Sequence, residues 1–128
     1  MADTILVVAE QRDGKLNRVS FETIAAAQAI SKETGWPVEV VLAGSDIAPL
    51  PQELAGKAVS RVYSLQAPAL AAYTSDAYVF ALKGFIGEKQ PKLVLFPHTY
   101  QVRDFAPKLA ASLGKGMIGK PPCFYNFL

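Results

Sequence analysis

Short apolar runs rich in β-branched residues alternate with helix-like segments along this sequence, and that alternation limits the possible folds more than any other feature. The runs cover residues 5–9, 38–43, 61–65 and 93–96. A continuous apolar run of this length fits a strand that is buried on both faces, as in a parallel sheet. Strands that alternate with helices imply right-handed βαβ crossovers. The sequence therefore predicts an α/β domain with a doubly wound, mainly parallel, Rossmann-like sheet of four to five strands.

Polar side chains that can cap helices mark where the predicted helices begin. We expect Ser20 to cap the first helix and Asp104 to cap the last. Thr74 or Ser75 is expected to cap the helix between the third and fourth strands. Gly35 suits the left-handed position that ends the first helix.

Length and composition fit one compact domain. The chain has 128 residues, of which 51% are hydrophobic and 19% charged, whereas a disordered chain has fewer apolar residues and more net charge. Residues 1–118 are expected to form the α/β domain, with at most a short helix over residues 52–57 and the start of a fifth strand at residues 117–118. Residues 119–128 contain two adjacent prolines and three aromatic side chains. We expect them to form an irregular tail, either ragged or covering an open sheet edge.

Residue counts exclude several kinds of site. One cysteine and one histidine leave no internal disulfide, no multi-cysteine cluster and no histidine-pair metal motif, so no metal site is expected. No apolar run approaches the ~18 residues that a membrane span needs. The N-terminal segment lacks the pattern of a secretory signal or a transit peptide, which predicts a cytoplasmic location.

Net charge gives little information about partners. The formal net charge of +2 is too small to indicate nucleic-acid binding. Residues 89–128 hold six basic residues and one acidic residue. This end is either an ordinary solvated surface or a surface that meets an acidic partner or a phosphate.

Candidate site residues lie where the predicted strands end, because ligands of open α/β sheets bind at that edge. Weak candidates for cofactor contacts are Gly44 and Ser45 after the second strand, and His98 and Thr99 after the fourth. No glycine-rich dinucleotide loop or P-loop follows the first strand, and Glu10 places a negative charge where a phosphate would lie.

The loop after the fourth strand allows two interpretations. His98 could act as a general base, or it could be a loop histidine bonded to the backbone. Arg103 could bind an anion, or it could form a local ion pair with Asp104. Neither has a partner of the kind that a nucleophile–base pair requires, so no catalytic residue is predicted. Cys123 also lacks the neighbours of a catalytic thiol.

One set of segments occurs in an order and spacing that matches a known family. The segments are Ile5-Leu6-Val7-Val8-Ala9-Glu10, Asp13-Gly14-Lys15-Leu16, a helix over residues 20–29, Ala43-Gly44, Tyr73-Thr74, Tyr78, Phe96-Pro97-His98-Thr99 and Arg103-Asp104-Phe105-Ala106-Pro107-Lys108-Leu109-Ala110. They cover residues 4–118 and resemble the N-terminal domain of the electron transfer flavoprotein α subunit. The chain departs from the family at Val102, where many members have glycine, and at residues 119–122, which replace an expected strand and acidic residue.

The resemblance implies a fold of the adenine-nucleotide α-hydrolase type and a role in electron transfer. In this family the α subunit pairs with a β subunit, and the heterodimer carries one FAD between dehydrogenases and a quinone reductase or another acceptor. The FAD lies mainly in a C-terminal α-subunit domain, which is expected to be absent from this chain. The resemblance thus implies a non-catalytic scaffold that binds no cofactor alone and uses Arg103 and Asp104 for partner binding. Self-association through an open sheet edge is also expected.

A second hypothesis comes from a different functional class. The chain could be a small stand-alone nucleotide-binding protein or hydrolase of the universal-stress or pyrophosphatase type. Proteins of that type carry a glycine-rich phosphate loop after the first strand, and this sequence has none there.

Overall fold

The computed structural model describes residues 2–57, 59–115, 117–120 and 124–127. The strands in these ranges are β1 (Ala2–Ala9), β2 (Gln11–Arg12), β3 (Lys15–Leu16), β4 (Val38–Gly44), β5 (Arg61–Gln66), β6 (Pro91–Pro97), β7 (Met117–Lys120) and β8 (Phe124–Phe127). The helices are α1 (Arg18–Thr34), α2 (Leu50–Ala55), α3 (Ser75–Lys89) and α4 (Tyr100–Ser112), with a 3₁₀ turn at Pro68–Leu70. None of the helices in this part of the chain is both long and apolar enough to cross a membrane.

The main sheet has the strand order β5-β4-β1-β6-β8-β7. Its first four strands are parallel, as predicted, and β8 and β7 continue the sheet in antiparallel pairs. The chain builds outward from β1 to β4 and β5, and then returns to place β6 on the other side of β1. Such a reversal between neighbouring strands is the switch point where doubly wound sheets open a crevice. The structure confirms the predicted fold class.

Two apolar layers cover the two faces of the sheet. Successive strand residues point to opposite faces, so Ile5 and Val7 pack on the side of α1 and α2, whereas Leu6 and Val8 pack on the side of α3 and α4. Because both faces are buried in the middle of these strands, successive positions there are apolar, as in residues 5–9 and 40–43. This explains the continuous apolar runs of the sequence, and each large side chain buried in this way stabilises the fold by about 1.5–3 kcal/mol.

The C-terminal tail covers a sheet edge, one of the two arrangements expected for it, and does so as a regular strand. Strand β8 pairs with β6 in antiparallel register, with Val94 opposite Phe127 and Pro97 opposite Phe124. The free edge of β6 offers unpaired backbone groups, and a run with three aromatic residues suits a strand. The prolines that argued against a strand lie at positions 121 and 122, in the connection between β7 and β8; together with Cys123 they fall outside the described residues.

Two of the predicted helix caps are wrong. Asn17, not Ser20, caps α1, because its Oδ1 accepts a hydrogen bond from Val19 N at 3.0 Å. Thr99, not Asp104, caps α4, because its Oγ1 accepts from Val102 N at 3.2 Å. The sequence places several residues of capping type near each start, and only the path of the chain out of the preceding strand selects one of them.

The other helix signals are confirmed. Thr74 caps α3, with its Oγ1 accepting from Ala77 N at 3.3 Å. Gly35 ends α1 in the left-handed conformation, with φ of 76°, and its N–H donates to Ser31 O. The predicted short helix is α2, which begins two residues earlier than expected.

Candidate functional site

Glu10 lies at the bottom of the crevice between the ends of β1 and β6, and its main chain is held firmly. The residue is only 7% exposed. Its N–H donates to Ser20 Oγ at 2.8 Å, and the Ser20 hydroxyl donates back to Glu10 O at 3.3 Å. Asn17 N also donates to Glu10 O at 2.9 Å. Ser20, expected to cap α1, instead anchors the segment that follows β1 to the first turn of that helix.

The Glu10 carboxylate accepts hydrogen bonds from the side chains that cap two helices. Asn17 Nδ2 donates to Oε2 at 2.8 Å, and Thr99 Oγ1 donates to Oε1 at 2.5 Å. The partial positive charge at a helix N-terminus stabilises a nearby anion. The N-termini of α1 and α4 therefore explain how a carboxylate can be buried here. The ion pair between Lys92 and Asp3 lies elsewhere.

A small hairpin lies beside the crevice. Strands β2 and β3 form it around Asp13 and Gly14, which have φ of 53° and 77°. This two-residue turn needs left-handed backbone at both positions, which aspartate and glycine tolerate. Gln11 fixes the hairpin in place, since its Nε2 donates to Ala43 O at 3.3 Å and its Oε1 accepts from Gly14 N at 3.1 Å.

An open cavity separates the hairpin from the start of α4. Its volume is about 570 Å³, and Glu10 lies in its wall. Charged and polar side chains of the hairpin and of the starts of α1 and α4 also line this cavity. These include Arg12, Asp13, Lys15, Asn17, Thr99 and Tyr100.

The four weak candidates for cofactor contacts, Gly44, Ser45, His98 and Thr99, do not line one common cavity. A Cβ built on Gly44 would lie 2.6 Å from Gln11 Nε2 and 2.8 Å from Ile47 Cγ2, so the chain's own side chains fill the space above this glycine. Ser45 lines a different cavity of about 280 Å³ beside Asp46. Half-buried His98 precedes Thr99, and Thr99 forms a hydrogen bond to Glu10.

The two predicted partner-binding residues belong to an exposed cluster that we call the α4 patch, made of Tyr73, Tyr100, Arg103 and Asp104. The Tyr73 hydroxyl donates to Asp104 Oδ2 at 2.6 Å. The Arg103 guanidinium lies over the Tyr100 ring at 6.0 Å from its centroid, and Tyr100 is 87% exposed. Arg103 and Asp104 thus each contact a tyrosine instead of forming the local ion pair considered above. A second open cavity, of about 460 Å³, borders the patch.

Two tyrosines at this edge are held in their neutral form. Burial, and then the hydrogen bond to Asp104, raise the pKa of Tyr73 above its ordinary value of 10.0. Burial also raises the pKa of Tyr78, which packs edge-on against Tyr73 with ring centroids 5.1 Å apart. Tyr73 therefore serves as a hydrogen-bond donor at neutral pH.

Sequence reasoning missed Asn17 and Tyr73. Asn17 has a recognisable signal, because a residue of capping type follows the hairpin turn directly. Tyr73 has none, since its partner Asp104 is 31 residues away. In the described residues no group of three or more histidine, cysteine, aspartate or glutamate side chains could hold a metal ion.

Comparison with known proteins gives the family. The sequence model of the electron transfer flavoprotein domain matches residues 5–119. Electron transfer flavoprotein subunit alpha of Bacillus subtilis (strain 168) is 38% identical over 118 residues, which cover 92% of this chain and 36% of that protein. The protein of the same name from Megasphaera elsdenii is 37% identical over 113 residues, covering 88% of this chain and 33% of that protein.

A relative with another name aligns over a similar length. Acryloyl-CoA reductase electron transfer subunit beta of Anaerotignum propionicum is 34% identical over 113 residues, covering 88% of this chain and 31% of that protein. The chain thus spans about a third of the length of the curated relatives it matches. The extent of the match confirms the predicted family: this chain belongs to the electron transfer flavoprotein family and is similar to its α subunits.

Proposed function

We propose that this chain is the N-terminal domain of an electron transfer flavoprotein α subunit and acts there as a scaffold that binds the β subunit. The complete heterodimer would carry electrons on FAD from dehydrogenases to a quinone reductase or another acceptor. In this proposal the chain supplies no catalytic residue of its own. A cytoplasmic location goes with the proposal, since a chain with one cysteine suits a reducing compartment.

The observation that carries the proposal is the buried carboxylate of Glu10 at the switch point. Ligands of doubly wound sheets bind there, but here the space between β1 and β6 holds Glu10 and its two capping partners. The space above Gly44 is likewise taken by Gln11 and Ile47. A domain whose usual ligand site contains its own side chains is better suited to holding other protein parts than to binding a nucleotide.

The alternative of a stand-alone nucleotide-binding protein or hydrolase is not favoured. Family membership points elsewhere, and a buried carboxylate lies where such a protein would hold a phosphate. Thermal unfolding in the presence of AMP or ATP separates the two hypotheses. A scaffold domain should show no shift in melting temperature with either nucleotide.

Flavin binding gives a further expectation. We propose that the FAD of the heterodimer is held elsewhere, so that the chain purified alone is colourless. A ligand pocket normally buries most of its ligand, and the three cavities described above are open to solvent. Absorbance at the flavin bands approaching one flavin per chain would contradict this part of the proposal.

The α4 patch is the surface that we propose for the β subunit. An exposed tyrosine with an arginine across its ring is typical of interface residues that contribute strongly to binding. Arg103 and Asp104 would then serve partner binding. The test is capture of the purified β subunit of an electron transfer flavoprotein by this chain, with Arg103→Ala and Tyr100→Ala as variants.

The control variant is Lys83→Ala, which removes an exposed cation from α3. We expect the two patch variants to bind the β subunit at least about tenfold more weakly, while Lys83→Ala binds as the wild type does. Equal binding by all three variants would exclude the α4 patch. Failure of the wild type to bind any β subunit would contradict the scaffold function itself.

A further inference from the structure

We propose that Glu10 is a built-in anion, whose carboxylate occupies a position that would otherwise attract a phosphate group and so prevents the crevice from binding anionic ligands. This goes beyond the scaffold function, because it assigns ligand specificity to one buried side chain. It can be tested on this chain without any partner protein, so its failure would leave the proposed binding of the β subunit untouched.

Two helix N-termini converge on the Glu10 carboxylate. Helices α1 and α4 pack on opposite faces of the sheet, and they follow the neighbouring strands β1 and β6 at the switch point. The N-terminus of a helix carries partial positive charge and free N–H groups, which make it a common binding place for phosphate. Asn17 and Thr99, the caps of these two helices, both donate to the carboxylate. Glu10 therefore receives the attraction that two helix ends offer to an anion.

The cavity beyond Glu10 is a second, independent indication. It measures about 570 Å³, and the hairpin side chains Arg12 and Lys15 contribute to its wall together with Asp13. In the described residues no ion pair joins Arg12 or Lys15 to Glu10. The two cations remain available to a ligand, in a space that is large enough to admit one.

In the wild-type chain the carboxylate blocks such a ligand in two ways. Like charges repel, so a phosphate beside Glu10 would be disfavoured. In addition, the Asn17 amide and the Thr99 hydroxyl already donate to Glu10 and are not free to donate to a ligand. Removal of the carboxylate should release both side-chain donors, while Asn17 Oδ1 and Thr99 Oγ1 still cap the two helices.

The experiment compares thermal unfolding in sodium phosphate with unfolding in sodium chloride of matched pH and ionic strength. Glu10→Ala removes the carboxylate and leaves space, whereas Glu10→Gln keeps the size and removes the charge. Glu22→Ala is the matched control, because it removes an exposed carboxylate from the outer side of α1. Inorganic phosphate is the first probe and AMP is the second.

We expect phosphate at ten times its Kd to raise the melting temperature of Glu10→Ala by about 4–8 °C. The wild type and Glu22→Ala should show only the smaller, equal shift that phosphate gives to any folded chain by its exclusion from the protein surface. Addition of Arg12→Ala to Glu10→Ala should weaken phosphate binding several-fold. A response to AMP that equals the response to inorganic phosphate would show that the phosphate group alone is recognised.

Two results would overturn the proposal: stabilisation of the wild type by phosphate to the same extent as Glu10→Ala, or no stabilisation of folded Glu10→Ala. If Glu10→Ala folds only in phosphate, as followed by circular dichroism, the proposal is supported. If it folds in neither salt, Glu10→Gln decides. Phosphate-dependent stabilisation of Glu10→Gln then supports the built-in anion, and its absence excludes it.

Discussion

At the level of the single residue, Thr99 has two roles, as the cap of α4 and as a hydrogen-bond donor to Glu10. Its hydroxyl donates to Glu10 and its oxygen accepts from Val102 N. One side chain therefore caps α4 and also supplies a hydrogen bond to the buried Glu10 carboxylate. Loss of a helix cap and loss of a donor to a buried charged group each destabilise a fold. We expect Thr99→Ala to lower the free energy of unfolding by about 1–3 kcal/mol, as measured by urea denaturation.

Asp104→Ala is the control for this prediction, because the sequence suggested Asp104 as the cap. Asp104 is exposed, and its carboxylate accepts from Tyr73 instead of from the helix backbone. Its loss should cost less than about 1 kcal/mol. A larger loss of stability for Asp104→Ala than for Thr99→Ala would refute the assignment of Thr99 as the cap.

The raised pKa of Tyr73 predicts how the free energy of unfolding changes at alkaline pH. Its pKa is raised above 10.0 in the folded chain, so the neutral hydroxyl favours folding. That contribution is complete below pH 10 and is lost as the pH rises toward the raised folded-state pKa. We expect the free energy of unfolding to fall more steeply above pH 10 in the wild type than in Tyr73→Phe, as followed by urea denaturation at a series of pH values.

Tyr100→Phe is the comparison variant for this pH series. Its side chain is 87% exposed. Loss of its hydroxyl should therefore leave the free energy of unfolding falling above pH 10 as steeply as in the wild type. Parallel slopes in the wild type and Tyr73→Phe would show that Tyr73 does not contribute to the pH dependence.

Helix α3 offers a prediction at the level of the element. Gly84 lies in the interior of this helix, and a Cβ built there meets no atom within 4 Å apart from the chain neighbours and the helix's own backbone. Glycine in a helix interior is destabilising by about 0.5–1 kcal/mol relative to alanine, because its backbone loses more freedom on folding. Gly84→Ala should therefore raise the free energy of unfolding by about that amount.

Gly44→Ala, at the end of β4, is the same substitution at a position where it should lower the free energy of unfolding. The added Cβ would lie within 3 Å of Gln11 and Ile47, so the hairpin anchor or the Ile47 side chain must move. We expect a loss of about 1–3 kcal/mol, measured in the same denaturation series. Equal effects of the two substitutions would mean that the space around Gly44 is not as described.

At the level of the whole molecule, the sheet ends in two strands that pair on one side only. These are β5 and β7 in the described part of the chain, and unpaired edges promote association with other chains. We expect the chain to self-associate as its concentration rises, as followed by light scattering. Ser64→Lys and Gln66→Lys place charges at exposed positions of β5 and should reduce the association.

Gly84→Lys is the control for these variants, because it adds the same charge at an exposed position of a helix instead of a strand. A chain that stays monomeric at every concentration would contradict the prediction. Association that both β5 variants leave unchanged would move the contact away from this edge.

Much of the candidate site depends on contacts that no local pattern reveals. The sequence identified Glu10 as a negative charge that disfavours phosphate binding, and Thr99 as a residue of the loop after the fourth predicted strand. It did not predict that the two meet, because 89 residues separate them. Nor did it predict Asn17 as the third member, since its role depends on how the hairpin returns the chain to the start of α1.

The sequence by itself determined the α/β class, the four parallel strands and the approximate extent of the main helices. Strands such as β1 and β4 are buried on both faces, so their apolar composition is a direct consequence of their place in the sheet. The family also followed from the order of short segments along the chain.

Only the tertiary structure decided which polar residues cap α1 and α4, where the tail joins the sheet and what fills the crevice. Capping depends on the direction in which the chain leaves the preceding strand, and strand β8 depends on the free edge that β6 presents. The Glu10 carboxylate is stable in the interior because two helices begin beside it. That arrangement exists only once the two faces of the sheet have been packed.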